Sequence, residues 1–304
     1  MSSFMKKFLI AASAAGMSAI AQTPGFAYSI TGNNDAWLYD NNYGSCGPTS
    51  TCLTNDMSRL DAILGGNSSA PGGNVELFAT SEGVNLSTYL TSNARTNIEG
   101  TVAGRSLTLS SLTATDWFGP SLDTLYGADN FANRWFNEFY NAAGLAASLP
   151  FGNSFLVRQA AYNAFLSDQV KGFQRSSDPN ISYITTSGSD LLIGLAGHFD
   201  AKAYYAPILG AYAAFIRDGF QVSEVVKVNY GGVEQFLYSF NATASGLTNN
   251  SGLYADGLSH SGNYEVALRG VVPPATSVPE PSVVFGLIGL GGLLAAKRKQ
   301  QQAG

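Results

Sequence analysis

Residues 225–241 read VVKVNYGGVEQFLYSFN, two alternating runs separated by Gly231-Gly232. A two-residue hairpin turn needs positive φ at both central positions, and glycine adopts it without a Cβ penalty. Pairing across this turn sets Tyr230 against Val233 and Val226 against Leu237. The other face carries Phe236, Tyr238 and Phe240. The ribbon is therefore predicted to be an antiparallel hairpin covered on both sides.

The flanking segments extend this pattern. Tyr264, Val266 and Leu268 alternate with Glu265 and Arg269, as in a half-buried strand. Residues 74–81, 101–112 and 182–196 are further strand candidates. Three segments repeat at helical spacing. Residues 129–143 put Phe131, Trp135, Phe136 and Phe139 on one stripe, with Asp129 or Asn130 as cap. Residues 153–171 place Phe155, Ala161 and Phe165 at helical spacing, with Gly172 as terminator. Residues 201–217 contain Pro207, which restarts or kinks the helix. The order of elements predicts an α+β fold, a largely antiparallel sheet with about three helices. No repeat or internal linker divides residues 28–272, which read as one domain, and 273–278 read as a linker.

Composition narrows the function. The chain is 45% hydrophobic and 12% charged, so it can bury a core. Five of the 16 basic side chains and one of the 21 acidic ones, Glu280, lie in the end segments, which leaves 11 against 20, a net charge of −9. Nucleic acid is disfavoured as a partner, because such binding depends on many Lys and Arg contacts to phosphate. Anionic polysaccharide is disfavoured too, unless cations bridge the two.

The two ends carry the clearest signals. Lys6 and Lys7 precede a short apolar stretch, and Gly25-Phe26-Ala27 supplies small residues at the −3 and −1 positions. Residues 1–27 read as a signal peptide cleaved by signal peptidase after Ala27. At the other end stand Pro279-Glu280-Pro281, an apolar run over 282–296 and the basic tail 297–299. At 1.5 Å per residue the run spans ~22 Å, short of the ~30 Å hydrocarbon core. Residues 279–304 resemble the PEP-CTERM sorting signal of bacterial exported proteins. The resemblance implies cleavage by an exosortase-type protease, transient residence of a short transmembrane helix in the inner membrane, and delivery to the cell surface or beyond. Within the body, Gly172-Phe173-Gln174-Arg175, Ser177 to Tyr183, Ile193 to His198, Ser223 to Val228 and Tyr238 to Thr243 resemble a PEP-CTERM family of unknown function. That resemblance assigns no catalytic residue.

Export places Cys46 and Cys52 in an oxidising space, where a local disulfide can persist. A metal pair is the rival, but no His or further Cys lies close by. His198 and Asp200, in Gly-His-Phe-Asp, project from one face if their strand continues that far, and such a pair can bind metal or relay protons, though no third ligand accompanies it at diagnostic spacing. His260 lies in a turn-like segment, and a site using both histidines is a further candidate. Asp178-Pro179-Asn180 reads as turn initiation. Residues 32–35 and 40–42 offer oxygens to calcium but lack EF-hand spacing, so no metal site is assigned.

No nucleophile elbow, P-loop, dinucleotide fingerprint or HExxH is present. The leading expectation is a non-enzymatic surface or matrix protein associated with exopolysaccharide. The alternatives are a secreted hydrolase acting on an extracellular polymer, since carboxylate pairs need no local motif, and a sugar- or calcium-binding module.

Overall fold

The computed structural model describes residues 27–42, 46, 49–79, 81–249 and 257–273. The segment upstream of Ala27 expected to be a signal peptide, Pro279-Glu280-Pro281 and the apolar run 282–296 lie outside them. Among the described residues, no helix is long and apolar enough to cross a membrane.

Two sheets and a helical layer make up the fold. The first sheet is ordered β1 (Ser29–Gly32), β5 (Thr96–Val102), β6 (Arg105–Ser110), β9 (Val226–Tyr230), β10 (Val233–Leu237). The second is ordered β11 (Thr243–Ala244), β13 (Gly262–Leu268), β8 (Asp190–Gly197), β7 (Asn180–Ser187), β4 (Gly73–Leu77), β2 (Ala36–Asp40), β3 (Ser50–Thr54), β12 (Thr248–Asn249). Pairing is antiparallel except between β12 and β3. The fold is α+β and mostly antiparallel, with two sheets where one was expected.

The β9–β10 hairpin has the expected register, Tyr230 opposite Val233 and Val226 opposite Leu237. Gly231 and Gly232 take φ of 58° and 88°. Val226, Val228 and Tyr230 join Leu107, Ile193 and Leu195 in one buried cluster. On the opposite face Phe236 stacks on Phe131, 4.4 Å between ring centres. β9 and the end of β10 at Phe236 and Leu237 are covered, while Val233, Glu234 and Gln235 next to the turn are exposed. In β13, Tyr264, Val266 and Leu268 are buried and Glu265 is exposed, as expected.

Two single strands expected from the sequence are hairpins. Residues 101–112 turn at Ala103-Gly104, where Ala103 itself has φ +49°. An alanine in the left-handed region carries no sequence signature of a turn. Residues 182–196 turn at Gly188, φ +60°. A β-bulge in β7 brings the Tyr183 ring over Gly194, where any Cβ would lie 2.1 Å from the ring. That contact requires glycine.

Eight α-helices are present among the described residues where about three were expected: α1 (Leu60–Leu64), α2 (Leu86–Thr91), α3 (Ala114–Phe118), α4 (Phe131–Ala142), α5 (Leu145–Ser148), α6 (Phe155–Leu166), α7 (Gly172–Arg175) and α8 (Ala201–Leu209). The additional ones are one or two turns long, below the length at which periodicity can be read. Asn130 caps α4 by accepting from the Asn133 N–H. Ser154 caps α6, which ends at Leu166, well before Lys171. Gly172 starts α7 and does not terminate α6. Pro207 sits inside α8, and a 3₁₀ turn, Gly210–Phe215, follows it. The helices close over a second, aromatic core in which Trp117, Trp135, Phe136, Tyr162 and Phe173 are buried.

Cys46 and Cys52 are joined, with Cα atoms 5.9 Å apart. The loop they close is short, so the bond contributes at the low end of the ~2–4 kcal/mol range. We expect Cys52→Ser paired with Cys46→Ser to lower the melting temperature by a few degrees, as read by calorimetry. An unchanged transition would show that the crosslink does not constrain the unfolded chain.

Candidate active site

The alternation that buries apolar residues on one face of the second sheet puts polar and aromatic residues on the other, where Tyr39, Asn74, Asn180 and Ser182 are buried as well. Leu38, Val75, Leu77 and Ile181 point into the core between the sheets. Their neighbours Trp37 and Tyr39 on β2, Asn74 and Glu76 on β4, and Asn180 and Ser182 on β7 occupy the opposite face. Cross-strand pairing places Glu76 beside both Trp37 and Asn180. Trp37, Tyr39, Glu76 and Asn180 line a cavity of about 660 Å³, together with Phe78, Glu82, Asp178, His198, Tyr204, Glu224 and His260.

Burial favours the uncharged form of three carboxyl groups of this cleft. Burial pushes Glu76 up to about 8, the Glu82 charge adds to the effect, and a hydrogen bond from Tyr39 opposes it. Burial, and then Glu76, raise Glu224 well above the usual carboxylate range. The backbone N–H and side-chain Nδ2 of Asn180 donate to Glu224 Oε2 at 3.0 and 3.2 Å. Asp178 is raised in the same way, by burial first and Glu82 second. Its Oδ1 accepts from the Ala79 N–H at 2.8 Å.

Hydrogen-bond geometry at Asp178 agrees with protonation. Ser81 Oγ lies 2.8 Å from the Gln174 carbonyl and 3.0 Å from Asp178 Oδ1. A serine has one proton, so it cannot donate fully to both acceptors. A protonated Asp178 resolves this by donating to Ser81 Oγ while Ser81 donates to Gln174.

The rim is braced by α7. Gln174 Nε2 donates to the carbonyls of Ser81 and Val84, fixing the loop that carries Glu82. Arg175 donates to Glu82 and to the Tyr204 hydroxyl, both at 2.9 Å. Tyr204 stacks on His198 at 4.1 Å, and Trp37 meets Phe78 edge-on at 4.7 Å.

The residues singled out from the sequence separate. β8 ends at Gly197, so His198 and Asp200 do not share a strand face. Asp200 is exposed and caps α8, accepting from the Ala203 N–H. His198 lines the cleft, with Nε2 3.2 Å from Ser259 Oγ. His260 also lines it, buried at φ +69° with Nδ1 3.0 Å from Thr51 Oγ1 and its ring on Tyr39. Asp178 and Asn180, expected to serve only a turn, belong to the cleft floor. Asp40 is 1% exposed and occupied by Arg59 at 2.6 Å, which removes it as a calcium ligand. Among the described residues, no three His, Cys, Asp or Glu side chains are placed to hold a metal ion.

Glu76, Asp178 and Glu224 lie far apart in the chain, and no local spacing announces them. The one legible sign is Glu76 itself, an acid within an otherwise uncharged strand, Asn74-Val75-Glu76-Leu77. No protein-family model, curated protein or solved structure matches the chain.

Proposed function

We propose that this is an exported hydrolase that cleaves glycosidic bonds in a polysaccharide outside the cell. The observation that carries the reading is that Glu76, Asp178 and Glu224 line one open cleft, where burial favours their protonated forms. Glycoside hydrolysis uses one carboxyl as proton donor to the leaving oxygen and a second, ionised, at the sugar carbon or its attacking water. Coupled carboxyls release their protons in steps, so both forms coexist between the first step and the last. Glu76, half-buried and open to the cleft, releases its proton first and is the carboxylate partner. Glu224, fixed by two N–H groups of Asn180, keeps its proton and donates it. Asp178, bound to Ala79 and Ser81, is the deeper of the three and adds to their mutual repulsion. Trp37 and Phe78 offer apolar surface to pyranose rings. The cleft is what favours this reading over the non-enzymatic matrix role.

The test is release of reducing ends from a panel of exopolysaccharides by the secreted protein, alongside Glu224→Gln. We expect turnover by the parent and none by the variant. A folded parent that cuts no glycan would contradict the proposal.

The export route belongs to the same proposal: a signal peptide over 1–27, and PEP-CTERM-type sorting by 279–304 through an exosortase. One structural feature supports the first cleavage. β1 starts at Ser29, and the Tyr28 nitrogen lies 2.9 Å from Asp61 Oδ1. Cleavage after Ala27 would turn that nitrogen into an ammonium group already seated on a carboxylate. N-terminal sequencing of secreted material should therefore return Tyr28. A start at Met1 or Ser2 would remove the signal-peptide reading. For the other end, a tag after Gly304 should stay in a short membrane fragment while a tag near Asn249 leaves the cell.

A further inference from the structure

Glycosidic cleavage by carboxyl groups leaves a second reactive pair of the cleft unused. Ser259 Oγ lies 3.2 Å from His198 Nε2. Both residues line the cavity, and both are only partly buried, so a ligand can reach them. A hydroxyl is a weak nucleophile until a base takes its proton, and an imidazole at hydrogen-bond distance can serve as that base. In the tautomer that carries its proton on Nδ1, His198 accepts the Ser259 hydroxyl on Nε2.

The folded sheet holds this pair, which no local motif announces. His198 follows β8 and Ser259 precedes β13, and the two strands pair at Gly197 and Gly262. Both backbones are tied down at that place. The Tyr264 hydroxyl donates to the His198 carbonyl at 2.6 Å, and the Phe199 N–H donates to Ser261 Oγ at 3.0 Å. The Asn249 N–H donates to the Ser259 carbonyl at 2.9 Å. Tyr204 stacks on the His198 imidazole at 4.1 Å, and Arg175 holds the Tyr204 hydroxyl. Next to the serine, the buried His260 takes φ +69°. That left-handed conformation is uncommon outside glycine and recurs at active sites.

A serine beside a positioned base performs acyl transfer on unrelated folds, because the arrangement works by geometry and roles and not by chain order. The turn Gly257-Leu258-Ser259-His260-Ser261-Gly262 runs into a strand, so it is not the strand-to-helix elbow of other serine hydrolases. Acyl groups on sugar hydroxyls are esters, and an ester expels its alcohol more readily than an amide expels its amine. A cavity of about 660 Å³ has room for a short glycan segment that bears a small acyl group.

We infer that the cleft also removes short acyl groups esterified to sugar hydroxyls, with Ser259 as nucleophile and His198 as its base. Ser259 Oγ forms a bond to the acyl carbon while its proton passes to His198 Nε2. The bond from that carbon to the sugar oxygen then breaks, and the sugar oxygen leaves with the proton. Water attacks the acyl-serine and gives a proton to His198, which returns it to Ser259 Oγ as the carboxylic acid departs. One ester and one water become one alcohol and one acid. The inference rests on the polysaccharide reading for its substrate but not on cleavage of the glycosidic bond.

The experiment measures acetate released from O-acetylated xylan by the secreted protein, and maps by peptide mass spectrometry where a fluorophosphonate probe attaches. We expect acetate release and a label on Ser259. Ser259→Ala and His198→Gln should each slow the release by at least about 10²-fold. The label is read on the parent, so a variant that fails to fold leaves the test intact. No acetate from the parent, a label away from Ser259, or release by a folded Ser259→Ala at the parent's rate overturns the inference, even if reducing ends appear. Acetate release without reducing ends upholds the inference and removes the glycosidic reading instead.

Discussion

Replacing Glu76 by glutamine will abolish glycan turnover and, in the same protein, raise stability at alkaline pH. The loss of turnover follows from removing one of the two reacting carboxyl groups, an effect of about 10²–10⁴-fold in rate. The gain in stability follows from linkage. In the folded protein Glu76 holds its proton up to about pH 8, against an ordinary value of 4.5. The unfolded chain releases that proton first as pH rises. Stability therefore declines from about pH 4.5 and stops declining above about pH 8. Each unit of separation is worth ~1.4 kcal/mol, and the solvent at the cleft mouth reduces the total to on the order of 3 kcal/mol. The glutamine side chain carries no charge at any pH, so the Glu76→Gln variant lacks this decline and also relieves Glu224, which Glu76 repels. Urea unfolding at pH 5 and pH 9 reads the effect. We expect parent and variant to match at pH 5 and the variant to be more stable at pH 9. A variant weaker than the parent at both values would mean that Glu76 is a charged structural ligand and not a buried acid.

The second large effect lies in the aromatic core. Trp117→Ala should cost ~3–5 kcal/mol, the usual range for emptying a site of this size. Trp117 is fully buried, stacks on Phe131 at 4.9 Å and packs against Trp135 and Phe173. Its Nε1 donates to Ser177 Oγ at 2.8 Å, and the Tyr89 hydroxyl meets the same oxygen. Ser177 precedes Asp178, so the cavity loosens the segment that positions one of the cleft carboxyls. Turnover should fall along with the unfolding midpoint. Trp117→Phe, which keeps most of the volume but not the N–H, should recover most of the stability.

What could be read from the sequence was whatever rests on neighbours. The β9–β10 hairpin depends on Gly231-Gly232 and on residues within a few positions of that turn, so its register came out residue by residue. The α4 stripe of Phe131, Trp135, Phe136 and Phe139 is equally local, and all four are buried. The α+β class follows from such elements. The turn at Gly188 was legible in Ser187-Gly188-Ser189-Asp190, a run of turn-forming residues, whereas the left-handed Ala103 beside Gly104 bears no such mark. α1, α2, α3, α5 and α7 are too short to show a period. His198 and Asp200 looked like a pair only if β8 ran on, and the chain instead turns at His198 and spends Asp200 on the cap of α8. The carboxyl trio was the least legible feature. Residues 76, 178 and 224 meet only because β4 pairs with β7 and Asn180 draws in Glu224, and an isolated acid in a sequence looks the same whether it is solvated or buried.

Whether the cleft acids hold their protons can be read from side-chain carboxyl ¹³C shifts, followed by NMR through a pH titration of protein labelled at Glu and Asp. We expect the resonances of Glu76, Asp178 and Glu224, assigned through their Gln and Asn variants, to keep the chemical shift of a protonated carboxyl at neutral pH. Glu76 should then titrate near 8. If all three have reached the carboxylate shift by pH 5, they are ionised side chains of an ordinary polar cavity, and the cleft has no proton to give.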